Sequence, residues 1–239
     1  MVFFEISSVE RAVTVYGAQM LVCLWDAYLA YRILKRDRKR LNIIFAGFYL
    51  FGVIGLIFNF IYAPLPIGPV VFVLNFFTNF FLFYSPIFFV VFELMLLESE
   101  KYINTTKQLL ILIGYGIFMF CMICFAYPGW GLTFNANDQP KWELAFFLYL
   151  IIGESIFAVG PVFYLSFRAY YKFEDEQLKK KWKNFIYGFG AYMIFLYTIF
   201  ISNKLDDPNF RIIAGITGLI CAIVGGYLMY IGVTRQLEK

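Results

Sequence analysis

The sequence predicts an all-α polytopic membrane protein: one bundle of seven transmembrane helices, N-terminus outside and C-terminus cytosolic. Three observations predict it. The 239 residues are 62% hydrophobic and only 15% charged, whereas soluble domains run near half apolar and a quarter charged. The charges gather between long apolar runs instead of lying along helix faces. Lysine and arginine also divide very unevenly between the two sets of connections.

A hydrocarbon core of about 30 Å takes about 20 apolar residues per helix. Seven segments reach that length, roughly 12–34, 42–63, 70–97, 109–128, 143–167, 184–202 and 211–233. The connections are short, so residues 1–239 read as a single membrane domain. Before the first span, "MVFFEISSVER" carries Glu5 and Glu10 and lacks the basic n-region of a cleaved signal. "SSVE", from Ser7, instead matches a capping box that opens a helix. The first span holds Asp26 and ends in a basic burst, "LKRDRKR", which anchors it. The third span carries Asn75, Asn79, Pro86 and Glu93 at spacings of 4, 7 and 7, one helical face, and Pro86 predicts a kink. In the fourth, Cys121 and Cys124 form a CxxC within apolar sequence and read as small apolar side chains. Trp130 and Trp142 bracket the next loop, where an interfacial aromatic belt would sit. The fifth span holds Glu154 and a Gly160-Pro161 break. In the seventh, Ala214, Gly218, Ala222 and Gly226 repeat every four residues, a ribbon that lets another helix approach closely. It suits packing within the bundle or the face of a homodimer.

Orientation follows from the cations. One face collects 16 lysines and arginines and the other only 4, namely Arg11, Lys141, Lys204 and Arg211. Positive residues stay inside, which points to a multi-pass protein of the cell membrane. Asn104-Thr105-Thr106 matches a glycosylation sequon but falls on the inner side and is expected to be unused.

Absences narrow the chemistry. There is no histidine, which argues against bis-imidazole haem, against histidine-held zinc and against phosphorylation of a histidine in this chain. A retinal Schiff base needs a lysine midway along the last span, and none is there. No nucleophile stands beside a base in a recognisable motif. The sequence therefore predicts no catalytic residues, no metal and no cofactor, and nothing in it suits nucleic acid.

Three acids lie within apolar spans: Asp26, Glu93 and Glu154. An ionisable group at the bilayer centre costs about 2.5–3.5 kcal/mol on insertion scales and marks a candidate site. No lysine or arginine is available at mid-depth, so each central carboxyl is protonated, meets water or holds a cation. Asn75 and Asn79 must face the bundle interior, because lipid cannot satisfy amides. Two readings follow. The polar residues are interhelical glue, at about 0.6 kcal/mol per bond, or they wall a cavity for a small ligand, cation or proton. "RLNIIFAGF" and "WKNFIYGFG" each follow a basic connection, a hint of the three-plus-one-plus-three duplication that some small-solute transporters use.

The basic linker "LKRDRKRLN" and the charged connection "RAYYKFEDEQLKKKWKNFIYG" give the chain its texture. With seven spans, it resembles the seven-transmembrane-helix input domain of prokaryotic sensor histidine kinases. The sequence ends at "TRQLEK" without a kinase, so the resemblance implies output through a cytosolic protein partner. Residues 168–183 are the expected contact, with Arg168, Lys179, Lys180, Lys181, Trp182 and Lys183 meeting a partner or the anionic inner leaflet, at about 1 kcal/mol per cation. The expected function is a receptor-like protein signalling through that connection. The alternatives are a small-solute or cation transporter and a structural or assembly subunit.

Overall fold

The computed structural model describes residues 9–98, 102–125, 131–135 and 138–234. Seven of its helices are long and apolar enough to cross a membrane: α1 (Val13–Arg36), α2 (Arg40–Tyr62), α3 (Pro69–Glu98), α4 (Thr105–Phe125), α5 (Leu144–Lys172), α6 (Glu176–Leu205) and α7 (Pro208–Val233). This is the fold of a multi-pass membrane protein. Ser7, Lys101, Trp130, Arg235 and Lys239 lie outside the described residues.

Consecutive helices pack side by side, and α7 returns to α1. α3 is the central element: 78% of its apolar window is buried, against 17% for the peripheral α4. Its centre is a stack of rings, because phenylalanine fills space without asking for hydrogen bonds. Phe48 lies 4.2 Å from Phe89, and Phe83 lies 4.5 Å from Phe200. The α-helix is interrupted where Pro86 stands: it runs to Tyr84 and resumes at Ile87, with Ser85 still in the right-handed helical region, and the Ser85 hydroxyl donates to Leu82 O at 2.7 Å.

Three features depart from expectation. The first is a two-stranded ribbon after α4, β1 (Leu132–Phe134) paired antiparallel with β2 (Pro140–Trp142). Trp142 is therefore not an interfacial belt residue. It is fully buried, between Phe83, Phe146 and Phe200. The second is that the connection expected over 168–183 is nearly all helix. α5 runs to Lys172, and α6 opens at Glu176 with the Asp175 side chain accepting from Gln177 N at 2.7 Å. Trp182 falls in register with Phe185 and Phe189 on the inner face. It is buried and its Nε1 donates to Ser166 O at 2.8 Å, so it faces neither lipid nor a partner. Lys180 and Lys183 point outward; Lys179 pairs with Glu176 and Arg168 with Glu98.

The third concerns the last span. Gly226 of the four-residue ribbon meets Leu29 and Trp25 of α1, while Gly218 meets Phe195 of α6. The ribbon thus packs inside the bundle. A backbone-to-backbone approach of α6 and α7 uses a different set, Gly225 against Gly188 and Gly232 against Lys181 and Phe185. A methyl added at Gly225 would stand 2.6 Å from Gly188 O, and one at Gly232 2.7 Å from Phe185 N.

Asn104 also has a structural role. Its side chain accepts from Lys107 N at 2.9 Å and caps α4.

Candidate functional site

The three buried acids occupy three separate nodes. Asp26 on α1 accepts from the Tyr192 hydroxyl of α6 at 2.5 Å through Oδ2. Gly52 and Gly226 lie beside it: a methyl on either would stand 3.7 Å from a carboxyl oxygen, an ordinary contact. Beside it, Tyr49 donates to Gly226 O at 3.0 Å and Trp25 to Ile223 O at 3.1 Å. This node ties α1, α2, α6 and α7.

Glu154 accepts from Tyr115 of α4 at 2.8 Å, and the same hydroxyl lies 3.0 Å from Phe83 O. It sits where α5 widens into a π-helical turn, Ser155–Val159. Such turns insert one residue and re-aim the side chains beyond them. Ser155 Oγ donates to Ile151 O at 2.5 Å, so Tyr197 supplies the proton of the 2.5 Å Ser155–Tyr197 contact. Glu93 accepts from Ser166 of α5. In each acid the second oxygen, Oδ1 of Asp26 and Oε of the glutamates, has no protein hydrogen-bond partner among the described residues.

Asn75 and Asn79 form a fourth group. Asn79 Nδ2 donates to Asn75 Oδ1 at 2.8 Å, and Asn75 Nδ2 to the Tyr62 hydroxyl at 2.9 Å. Asp26, Asn79 and Glu154 share no partner, so the structure does not bring them into one chamber.

A chamber does open at the end of the bundle that carries the β ribbon, between α1, α6 and α7. It has a volume of about 100 Å³. Gln19, Gln139, Thr198, Asn203 and Arg211 supply polar walls, and Val22, Phe195 and Leu219 line it with apolar surface. None of the acids lines it. Beside it stands an ionic knot. Arg211 Nη2 donates to Pro140 O at 2.9 Å and to Asp206 Oδ1 at 3.1 Å, and Nη1 reaches Asn203 Oδ1 at 3.5 Å. Asp206 also accepts from Asn135 at 2.6 Å and stands 3.7 Å from Lys141 Nζ. It closes α6 in a left-handed conformation (φ 54°), which aspartate tolerates better than most residues. Close by, the turn Val9–Ala12 buries Arg11. Burial pushes that guanidinium down from its ordinary value, while Tyr62, Asp138 and Tyr16 act in the other direction.

The chamber is contiguous with the first node through packing. Phe195 lines it, and the Phe195 ring meets the Tyr192 ring edge-on at 5.6 Å. The Tyr192 hydroxyl is the one that holds Asp26. One helical turn below the chamber wall therefore lies a hydrogen-bonded acid.

The sequence reading missed Gln19, Gln139, Asn203 and Arg211. The available signal was the sparse face itself: Arg211 is one of only 4 cations there and stands five residues beyond Asp206. No profile of a known protein family matches the sequence, and no curated protein matches it.

Proposed function

We propose that this is a receptor-like membrane sensor of the cell membrane, with the ribbon end outside. It takes a small solute into the ribbon-end chamber and passes a shift along α6 and α7 to the basic end. One observation carries this reading: the contact from chamber to Phe195 to Tyr192 to Asp26. A solute that displaces the Phe195 ring moves the Tyr192 hydroxyl against Asp26, and four helices meet there. α6 supports transmission, since it runs unbroken from Glu176 to Leu205 and carries Lys179–Lys183 at its far end. The 16-to-4 division of cations supports the orientation.

A second fact favours sensing over transport. Below the chamber the interior is filled by Phe48, Phe89, Phe189 and Tyr192, all buried, so it ends blind.

Two measurements on the full chain test the proposal. In detergent, a panel of small solutes is screened for a rise in unfolding midpoint, since a ligand of the folded state stabilises it. The hit is then added to proteoliposomes, with hydrogen exchange followed over residues 176–183. A stabilising solute that changes exchange there without crossing the membrane is the expected result. Flux of that solute through the protein alone would overturn it in favour of a transporter.

A further inference from the structure

We infer that the ribbon-end chamber takes a small organic anion, a short-chain carboxylate, with its charged end on Arg211 and the neighbouring amides and its apolar end against Val22, Phe195 and Leu219. This rests on the reading above, that the chamber is the ligand site.

Three amides line the chamber, and the carbonyl oxygen of each is already occupied by a protein donor. Gln19 Oε1 accepts from Asn59. Gln139 Oε1 accepts from Asn135 at 3.4 Å and Asn203 Oδ1 from Arg211 at 3.5 Å. What these side chains have left to offer is both protons of each NH₂ and one lone pair of each carbonyl. Among the described residues none of the three amide nitrogens donates to protein. Thr198 adds no free proton, because its hydroxyl donates to Phe195 O at 2.7 Å. Arg211 contributes a further donor: Nε is buried without a hydrogen-bond partner, on a side chain only 11% exposed.

Of these donors Arg211 Nε is the one buried without a hydrogen-bond partner, a deficit of about 1–3 kcal/mol while unmet; the amide NH₂ groups are open to the chamber, where water or an acceptor meets them. A cation or a donor-rich ligand leaves that deficit in place. A carboxylate meets it, and its bond to a guanidinium is the stronger, charge-assisted kind. Size and lining choose among anions. About 100 Å³ is several times the roughly 10–15 Å³ that, on the same measure, a cavity needs to hold one water, and the apolar wall favours a short hydrocarbon tail over an inorganic ion.

The test uses the full-length protein in detergent and reads the unfolding midpoint against propionate, chloride, sulfate, propionamide and propylammonium. Propionate is expected to raise the midpoint, with the others weaker. Arg211→Gln is expected to weaken propionate by about tenfold or more. Because Arg211 also ties the ribbon to α7, a loss there could reflect misfolding, so a variant of opposite sign is needed. Asp206→Asn keeps the left-handed cap and removes the competing carboxylate, and is expected to tighten propionate several-fold. Gly215→Val fills the chamber: Gly215 lines it, and a methyl there would meet nothing within 4 Å. That variant is expected to abolish the response.

The failures are distinguishable. A propionate response that survives Gly215→Val places the anion elsewhere and sinks the site. A response to propionamide or propylammonium, lost in Gly215→Val, keeps the site and overturns the anion. Equal responses to propionate and chloride overturn the organic tail, and no response to any of the five overturns the inference outright.

Discussion

Asp26 is held by one hydroxyl, and the energetics of that bond separate its two partners. Tyr192→Phe removes the donor and leaves both carboxyl oxygens buried without a protein partner, so a cost of about 1–3 kcal/mol is expected. Asp26→Asn keeps an acceptor for the tyrosine and is expected to cost less. Combining Tyr192→Phe with Asp26→Leu removes both polar groups and should recover part of the first loss. Chemical unfolding of the four proteins in one detergent gives the ordering; a double variant worse than Tyr192→Phe would show that the pair is not the unit. Asp26 was legible in the sequence because a charge stands out in an apolar run. Its partner was not, since Tyr192 lies 166 residues away among 18 tyrosines, and nothing local distinguishes it.

Among the elements, the α6–α7 contact makes the sharpest claim. Gly225→Ala places a methyl 2.6 Å from Gly188 O and 2.8 Å from Tyr192 N, both backbone atoms that cannot yield by rotating. The helices must separate, and a lower unfolding midpoint is expected. Gly114→Ala on α4 meets nothing within 4 Å and is expected to be neutral or stabilising by about 0.5–1 kcal/mol, from reduced backbone freedom. Equal effects of the two would refute the close approach. The seven spans were readable from hydropathy to within a few residues at most ends, and the Pro86 break from its ring. The π-helical turns, Val13–Gln19 and Ser155–Val159, were not, because inserting one residue into a helix leaves no mark on composition. Spacing by four finds Ala214 to Gly226, which packs within the bundle as one of its two readings expected; the backbone contact of α6 with α7 at Gly225 and Gly232, seven apart, was not singled out.

For the whole molecule, orientation is the property most open to test. With the four native cysteines replaced, single cysteines at Lys141 and Lys180, both exposed, report the two ends. A membrane-impermeant maleimide applied to intact cells should label Lys141→Cys only, and Lys180→Cys after the membrane is opened. The reverse pattern would invert the proposed direction of sensing. The candidate chamber was not legible at this scale. It is assembled from neutral amides and one arginine of α1, α6, α7 and the ribbon, spread from Gln19 to Arg211. Buried acids stand out in an apolar run, and here they mark the struts beneath the chamber and not its walls.

The α6–α7 pair has a further consequence, for biosynthesis. Its two helices are joined through Asp206 and Asp207 alone and touch backbone to backbone at glycine. Helices that associate by packing do so after each is stable in the bilayer, but a link this short keeps the two together from the outset. They would leave the translocation channel as a finished hairpin, a ready-made wall against which α1 docks late. Assembly would then proceed inward from that wall, with the chamber taking shape at the seam where the last piece closes.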